Sequence, residues 1–180
     1  IMGTIFVDNL EPQSGTSLTL GASGDTLTIP SGCTISNSGT ASGFGKIGQV
    51  VQTVFTTKIA STSTSFTDIT GCSVSITPTA TSSKVLINFV GMFGSGQNNT
   101  NNFYQILRGS TVLQEPQGIR IDDITCNRSY TTCLLDSPSS ASEVTYKVQF
   151  KCEANEVFIN RDNSNNQEGF TTFTVSEVLA

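Results

Sequence analysis

The stretch VTYKVQFKC, residues 144–152, decides the kind of fold that this chain can adopt. Side chains of a β-strand point alternately to its two faces, so a strict alternation of apolar and polar residues predicts one buried and one solvated face. The polar positions hold Thr, Lys and Gln. The apolar positions, which we expect to face a core, are Val144, Tyr146, Val148, Phe150 and Cys152.

A second stretch, KVLINFVGMF at residues 84–93, is apolar at nearly every position. Apolar and polar residues do not alternate strictly here, so the pattern assigns neither face of this strand to solvent. The pattern predicts a central strand that is buried on both faces, or a strand whose second face is covered by a neighbouring subunit.

Shorter apolar or alternating runs predict the remaining strands. Residues 103–107 and 112–114 flank a short polar connection and predict a hairpin. No segment has a helical period, and a parallel sheet is excluded because it would need crossover helices. We therefore predict an all-β head, an antiparallel β-sandwich of jelly-roll type with about ten strands. The other predicted strands are residues 50–57, 65–70, 74–76, 130–135, 157–160 and 170–179.

The N-terminal part of the chain has a different pattern. LTLGASGDTLTIPSGCTISN, residues 18–37, contains short alternating pieces separated by turn-forming residues. Each piece has a narrow apolar edge and nothing local to bury it against, so it is stable only when copies of the chain stack on it. We expect a short intertwined β-rich shaft in a homotrimer, with these side chains at the trimer axis: Leu18, Leu20, Leu27, Ile29 and Ile35.

A small-residue hinge at residues 40–48 separates the two parts. Residues 1–45 contain no Lys or Arg, whereas all the basic residues and nearly all the aromatic ones lie after residue 45. We therefore predict a shaft or trimerisation segment at residues 1–45 and a β-sandwich head, or knob, at residues 46–180. The apolar start of the chain lacks the basic residues of a signal peptide, and we interpret it as a cut point in a longer chain.

Composition excludes several classes of partner. Charged residues make up 13% of the 180 residues and the net charge is -5. Such a chain lacks the basic patch that nucleic acid requires and the polybasic segment that anionic lipid attracts. No apolar stretch is long enough for a transmembrane helix, so we expect neither nucleic-acid binding nor membrane insertion.

The five cysteines do not predict a disulfide framework, because their number is odd. Cys33, Cys72 and Cys152 lie in apolar alternating contexts and are interpreted as small buried residues. Cys126 and Cys133 are close enough in sequence to meet, although the reduced state is the default expectation. This cysteine usage favours assembly in a reducing cytoplasm.

The residues that most enzymes and metal sites need are missing. The chain has no histidine, which removes Ser-His-Asp and Cys-His catalysis and every histidine-based metal site. No CxxC pair and no phosphate-binding glycine motif occurs. We expect no cofactor, no metal and no catalytic residue.

Paired carboxylates are the remaining enzymatic option, because glycoside hydrolysis needs only two of them. Asp122 and Asp123 are adjacent, and Glu115 is near them in sequence. Adjacent residues of a strand point to opposite faces, so a shared cleft would need a loop. A solvated acidic loop is the favoured interpretation, and we expect the chain not to be an enzyme.

Two loops rich in asparagine are the better candidates for binding. SGQNNTNN at residues 95–102 and RDNSNNQEG at residues 161–169 carry amides that both donate and accept hydrogen bonds, as sugar hydroxyls do. Tyr104 could add a stacking face and Arg161 a charged donor, and the alternative is a pair of solvated loops. The candidate receptor-binding residues are Gln97, Asn98, Asn99, Asn101, Asn102, Tyr104, Arg161, Asp162, Asn163, Asn165 and Asn166.

Several stretches resemble a known family. GTIFVDNLEPQSGTSLTLGASGDTLTIPSG at residues 3–32, GQVVQT at 48–53, FTDITGCSVSITP at 66–78 and SSKVLI at 82–87 resemble tail-fibre and structural proteins of marine bacteriophages, especially cyanophages. The resemblance spans the chain and is most specific before residue 78. It implies a trimeric, interwoven shaft that runs into a trimeric knob facing the host cell, and it carries over no catalytic residue.

The resulting hypothesis is a distal tail-fibre domain that recognises the host cell surface. Its partners would be two further copies of itself, a host bacterial receptor that is a surface polysaccharide, and other virion tail proteins. It would be located in the virion after assembly in the host bacterial cytoplasm. Three alternatives stay open: a purely structural fibre or decoration module without a ligand, a polysaccharide depolymerase, and a cellular trimeric sandwich of the C1q or tumour-necrosis-factor type.

Overall fold

The computed structural model describes residues 10–12, 14–34, 46–114, 116–164 and 169–179. The chain divides into two units, residues 1–43 and 44–180. The described part of the second unit is all-β. Its strands are β1 (Ile47–Phe55), β2 (Ile59–Ser61), β3 (Thr67–Ile76), β4 (Lys84–Ser95), β5 (Thr100–Arg108), β6 (Thr111–Val112), β7 (Gln117–Ile121), β8 (Arg128–Asp136), β9 (Val144–Cys152), β10 (Val157–Ile159) and β11 (Thr171–Val178).

The strands form two antiparallel sheets that pack as a sandwich. Sheet 1 contains β1, β11, β4 and β8, with β10 and β2 continuing β11 and β1 at one end. Sheet 2 contains β3, β9 and β5, with β6 and β7 side by side on the outer edge of β5. The predicted all-β sandwich is confirmed.

The connectivity is that of a jelly roll. If each broken strand is counted once, the chain order is 1-8-3-6 in sheet 1 and 2-7-4-5 in sheet 2. Counted in this way, the first strand pairs with the eighth, the second with the seventh, the third with the sixth and the fourth with the fifth. This is the pairing of one long antiparallel hairpin wound into two layers. This winding places successive connections alternately at the two ends of the sandwich.

The strand predictions succeed where the pattern is strong. Residues 144–152 form β9, with Tyr146, Val148 and Phe150 buried. Residues 84–93 form most of β4, which is central because β11 and β8 pair with its two edges. The hairpin between β5 and β6 has Leu107 opposite Val112, and Gly109 takes a positive φ of 56° in its turn.

Two details of the strand prediction are wrong. Residues 65–70 and 74–76 belong to one strand, β3, whose register against β9 shifts between Asp68 and Ser73. Gly71, at a φ of 85°, lies in this bulge and makes the runs on either side look separate in sequence. The short strands β2 and β7 were not predicted, because three and five residues carry too little periodicity.

An aromatic cluster fills the core between the sheets. Phe89 of β4 lies 5.6 Å from both Tyr104 and Phe173, measured between ring centroids, and Phe93 stacks on Tyr104 at 5.3 Å. The Tyr104 hydroxyl shares a 2.8 Å hydrogen bond with Thr132 Oγ1. The buried Tyr104 hydroxyl therefore has a hydrogen-bond partner, so the core contains this phenol without an unsatisfied polar group.

Three buried polar groups connect strands that are distant in sequence. Asn160, fully buried at a φ of 59°, donates to Phe55 O and Thr57 O and accepts from Thr171 Oγ1. Asp136 receives two bonds from Arg108, at 2.8 and 2.7 Å, and one from Tyr146 Oη. The Asp136 cluster links β8 of sheet 1 to β5 and β9 of sheet 2.

Glu177 of β11 is the third buried group. Its carboxylate accepts hydrogen bonds from the Thr79 backbone N and Oγ1, at 2.6 and 2.7 Å, and from Gln49 Nε2 at 3.0 Å. Burial opposes ionisation, but the bonds from the Gln49 side chain and from Thr79 lower the pKa of Glu177 to about 2. A buried carboxylate thus holds the β3–β4 connection against β1 and β11.

The first unit is described at residues 10–12 and 14–34, and these residues form turns but no strand. Asp25 N donates to Ala22 O at 3.1 Å, and Cys33 N donates to Pro30 O at 3.2 Å. The predicted axis residues Leu18, Leu20, Leu27 and Ile29 are exposed in the single chain, and Ile35 lies outside the described residues. The β-rich shaft stays a prediction, because its strands need partner chains.

All five cysteines are free thiols. Cys72 and Cys152 are buried, as predicted, and burial raises the pKa of Cys72 to about 12. Cys33 is exposed in the single chain, and its predicted burial, like that of the axis residues, stays a prediction because it depends on partner chains. Among the described residues, no helix is long and apolar enough to span a bilayer.

Candidate functional site

Four connections gather at one end of the sandwich, which we call the loop end. They are residues 62–66, 96–99, 122–127 and 153–156. Backbone hydrogen bonds join them: Cys152 N donates to Ser63 O at 2.9 Å, and Gly96 N donates to Glu156 O at 2.9 Å. The winding of the jelly roll brings together loops that are far apart in sequence.

The two asparagine-rich loops meet at this end. Asn98 Oδ1 accepts from Ile124 N at 2.7 Å, and Ile124 O accepts from Asn163 N at 3.1 Å. Residue Ile124 therefore bridges the loop at 96–99 and the described start of the loop at 161–169. A Cβ atom on Gly94 would lie 2.5 Å from the Arg161 carbonyl oxygen, so the second loop can pack on β4 only at a glycine.

The first loop is held in one conformation. Asn99 takes a positive φ of 54° and Asn155 one of 64°, and Asn155 Nδ2 donates to Gly96 O at 2.9 Å. Asn101 N donates to Glu153 Oε2 at 3.1 Å. A loop that is fixed by its neighbours loses little conformational entropy when it binds a ligand.

A charged cluster lies beside the amides. Asp122 forms ion pairs with Arg120 Nε and Arg128 Nη2, both at 3.0 Å, and Arg120 Nη2 donates to Asn99 Oδ1 at 3.4 Å. All three charged side chains are about half exposed. The loop end thus offers guanidinium donors as well as amides.

Sequence reasoning did not select these arginines, although RIDDITCNR at residues 120–128 concentrates charge in a sparsely charged chain. Charge density in that stretch was the available signal. What could not be read from sequence is that residues 120–128 lie next to residues 97–99, because that proximity depends on β5 pairing with β7.

The structure divides the predicted receptor-binding residues into three groups. Gln97, Asn98, Asn99 and Asn163 are exposed at the loop end, and Asn101 is half-buried. Asn165 and Asn166 lie outside the described residues. The others are covered by protein and are corrected below.

Asn102 and Tyr104 are buried, so the prediction that they contact a ligand at the surface is wrong. They occupy alternate positions of β5 that face the core, and the loop that the sequence suggests ends at Thr100, where this strand begins. Both amide atoms of Asn102 lack a hydrogen-bond partner among the described residues.

Arg161 and Asp162 are also less available than predicted. The Arg161 guanidinium carbon lies 3.7 Å from the centroid of the Phe158 ring, and Nη1 donates to Asp162 O at 3.2 Å. Asp162 is only 3% exposed. Arg161 therefore covers a buried aromatic ring, an arrangement that cation–π attraction stabilises.

The carboxylates proposed for hydrolysis are engaged in structural contacts. Asp122 is held between two arginines, and Asp123 Oδ1 accepts from both Thr125 N and Thr125 Oγ1 at 2.8 Å. The backbone and side-chain bonds from Thr125 lower the pKa of Asp123. A general acid needs a raised pKa, so this environment is opposite to that of a glycosidase acid. Glu115 lies outside the described residues.

Comparisons with known proteins add little to this geometry. No family model matches the chain, and no curated protein matches it in sequence. Similar solved structures include a family two carbohydrate esterase from Cellvibrio japonicus (TM-score 0.28, 11% identity) and the VP2 subviral particle of infectious bursal disease virus (TM-score 0.35, 10% identity). Each covers 73% of this chain, which spans 35% and 37% of their respective lengths.

Proposed function

We propose that this chain is the distal domain of a bacteriophage tail fibre, a homotrimer that binds a polysaccharide on the host cell surface. The position of the loop end carries the proposal. β1 begins at Ile47 beside Val178, and Lys46 O accepts from Leu179 N, so the chain enters the sandwich at the end opposite the loop end. The amide-rich loops therefore lie at the end of the sandwich away from residue 46, the end that the proposal assigns to the host receptor.

The chemistry of the loop end suits a sugar. Gln97, Asn99 and Asn163 present amides, and Arg120 and Arg128 present guanidinium groups, all on exposed side chains. Amides donate and accept hydrogen bonds at once and so match neighbouring sugar hydroxyls. Rigid β-scaffolds commonly carry such function on loops, and the positive φ angles here show how the loop shape is maintained.

The proposal is of a binding protein and not of an enzyme. The observation that supports this choice is the use of Asp122 and Asp123 as structural acceptors, described above. A depolymerase would release reducing ends from capsule, and it would lose that activity in Asp122→Asn or Asp123→Asn. The binding proposal expects no turnover by wild type or by either variant.

A purely structural fibre module is the second candidate. It is favoured by the internal use of two of the loop amides, since Asn98 Oδ1 accepts from Ile124 N and Asn99 Oδ1 from Arg120 Nη2. Such a module would bind no surface of a susceptible host. The same binding experiment separates the two candidates.

The experiment removes three exposed amides, of which Asn99 makes one long bond, at 3.4 Å from Arg120 Nη2 to its Oδ1. The variant is Gln97→Ala, Asn99→Gly and Asn163→Ala, in which glycine retains the positive φ of residue 99. We expect saturable binding of wild-type protein to susceptible cells and to purified surface polysaccharide, with competition against phage adsorption. The variant should bind about tenfold more weakly or worse, as expected for lost hydrogen bonds at a desolvated contact.

The matched control lies at the opposite end of the sandwich. Ser139 is exposed and has a positive φ of 52°, so Ser139→Gly combined with Ser110→Ala makes comparable changes away from the loop end. The control should bind as wild type does. Equal binding by the loop-end variant, or no wild-type binding to any susceptible host, would contradict the proposal.

A further inference from the structure

The outer face of sheet 1 has an unusual composition. Its side chains come from alternate positions of β1, β11, β4 and β8, and cross-strand pairing arranges them in rows, such as Val54–Thr172–Val90–Thr131. We call this surface the uncharged face. Its members are Val50, Gln52, Val54, Leu86, Asn88, Val90, Met92, Ser129, Thr131, Cys133, Leu135, Thr172, Thr174 and Ser176.

The face ends at Lys84, the next outward position of β4, which is exposed beside Leu135. None of the positions named above carries a charge, and four of them expose large aliphatic groups. The exposed fractions are 59% for Val50, 54% for Val54, 37% for Val90 and 50% for Leu135. Scattered exposed aliphatic residues are ordinary, but these lie on one face, on β1, β4 and β8, and only uncharged residues of β11 separate those of β1 from that of β4, which marks an interaction surface.

The sequence of β4 gives an independent reason to expect a cover. In a two-layered sandwich the core buries one face of each strand, here through Val85, Ile87 and Phe89. The alternate positions face outward, and they hold Leu86, Asn88, Val90 and Met92 where a strand exposed to water would carry polar side chains. The described part of the chain therefore covers this outward face only partly at Leu86, Asn88 and Val90, whereas Gly169 packs closely on Met92.

We infer that a second copy of this chain covers the uncharged face. The number of copies rests on the proposed trimeric fibre, but the choice of face does not. Each copy has a net charge of -5, so two copies repel least where neither presents a charge. Gln52 Nε2 already donates to Thr174 Oγ1 at 2.7 Å, which reduces the polar groups that association would leave unpaired.

The size of the face fits this occupant. Four strands spaced about 4.8 Å apart, with about five to seven residues each at roughly 3.4 Å per residue, give a plan area of roughly 400 Å² before side-chain relief is counted. A stable interface buries about 800 Å² of accessible surface on each partner. The uncharged face can thus form the apolar centre of an interface whose polar rim comes from adjoining residues.

Two native thiols provide a direct test. Cys133 lies on the uncharged face, in the row Gln52–Thr174–Asn88–Cys133, whereas Cys126 is exposed on the 122–127 loop at the loop end. Maleimide labelling of the full-length oligomer, followed by peptide mass spectrometry, reports each thiol separately. We expect Cys133 to react at least about tenfold more slowly than Cys126, because opening of the interface must precede its reaction.

Variants then link this protection to assembly. Val54→Glu with Val90→Glu places negative charge at two exposed positions. It should separate the paired faces, so that Cys133 reacts as fast as Cys126 even where residues 1–45 still hold the copies together. The matched control, Val54→Thr with Val90→Thr, keeps β-branching and adds no charge. It should retain the oligomeric mass measured by light scattering.

The alternative outcomes are distinct. An oligomer in which Cys133 reacts as fast as Cys126, a glutamate variant in which Cys133 stays slow to react, or a wild-type monomer would overturn this inference. A cooperative thermal transition of the glutamate variant establishes that it folds. Loss of polysaccharide binding in the loop-end variant bears on the proposed function alone, so the two proposals can fail separately.

Discussion

The outer faces of the two sheets differ in the charge and the hydrogen bonding of their side chains. On sheet 2, Asp68 accepts from Lys147 Nζ at 2.9 Å and from Gln149 Nε2 at 2.8 Å, and Gln105 Nε2 donates to Gln149 Oε1 at 2.7 Å. Lys151 Nζ lies over two aromatic rings at 4.9 and 5.1 Å. On sheet 1, the uncharged face has no comparable charged network among its described positions.

This difference shows how much of a surface is completed within one chain. The polar groups of sheet 2 are paired with one another and can face water as they are. The aliphatic groups of sheet 1 gain nothing from water, and by our inference a second copy of the chain buries them. The same alternation of side chains along a strand therefore occurs in a surface that faces solvent and in one half of an interface. The distribution of charged residues distinguishes the two.

The largest expected effect comes from breaking the cluster that joins the two sheets. Asp136→Ala would leave the Arg108 guanidinium, which is 26% exposed, without its carboxylate, and it would remove the acceptor of Tyr146 Oη. We expect a loss of about 3 to 4 kcal/mol in the free energy of unfolding by urea.

Two variants control for this effect. Glu143→Ala removes an exposed carboxylate from the connection before β9 and should change stability by less than about 0.5 kcal/mol. Arg108→Met with Asp136→Leu removes both charges and should recover part of the loss. A double variant less stable than Asp136→Ala would show that the charges stabilise the junction beyond simple pairing.

Acid should weaken the junction of β11 with the β3–β4 connection through Glu177. Its pKa is depressed from 4.5 to about 2, so its contribution is fully present above about pH 4.5 and is lost as pH falls from there to about 2. A shift of this size corresponds to about 3 kcal/mol.

Unfolding by urea across this pH range tests the assignment to Glu177. Glu177→Gln should be less stable than wild type at neutral pH, and its stability should vary less between pH 4.5 and pH 2. A wild-type pH profile that the substitution leaves unchanged would assign the acid sensitivity to other carboxylates.

Asn102 offers a smaller effect of opposite sign. Its buried amide has no partner among the described residues, so Asn102→Leu replaces an unsatisfied polar group with an apolar one of similar size. We expect a gain of about 1 kcal/mol in stability and no change in binding at the loop end. Weaker polysaccharide binding at equal stability would show that this amide acts on the ligand site.

The smallest effect sharpens the comparison of the two faces. Asp68→Asn removes an exposed ion pair from sheet 2, and we expect less than about 1 kcal/mol of destabilisation, reduced further by salt. Cys133 should stay slow to react, unlike in the variant with two glutamates on the uncharged face. Dissociation caused by Asp68→Asn would place the contact between copies on sheet 2.

The candidate site was only partly predictable. Asn98, Asn99 and Asn163 could be selected because amide-rich stretches without apolar anchors form surface loops. Asn102 and Tyr104 were misassigned, since the residue at which β5 begins depends on its pairing with β7 and β9. The arginines at 120 and 128 join the site only through the same pairing, which no local pattern encodes.

By itself, the sequence determined that the second unit is all-β, that residues 144–152 form a strand with one solvent-facing side, and that residues 84–93 form a central strand. These properties follow from the period of two, which acts within one strand. Tertiary structure alone decided that the two asparagine-rich loops share one end, that Glu177 is held ionised in a buried site, and that an uncharged face spans four strands. Each of these depends on hydrogen bonds between residues far apart in sequence, and their partners are chosen only when the hairpin winds into two layers.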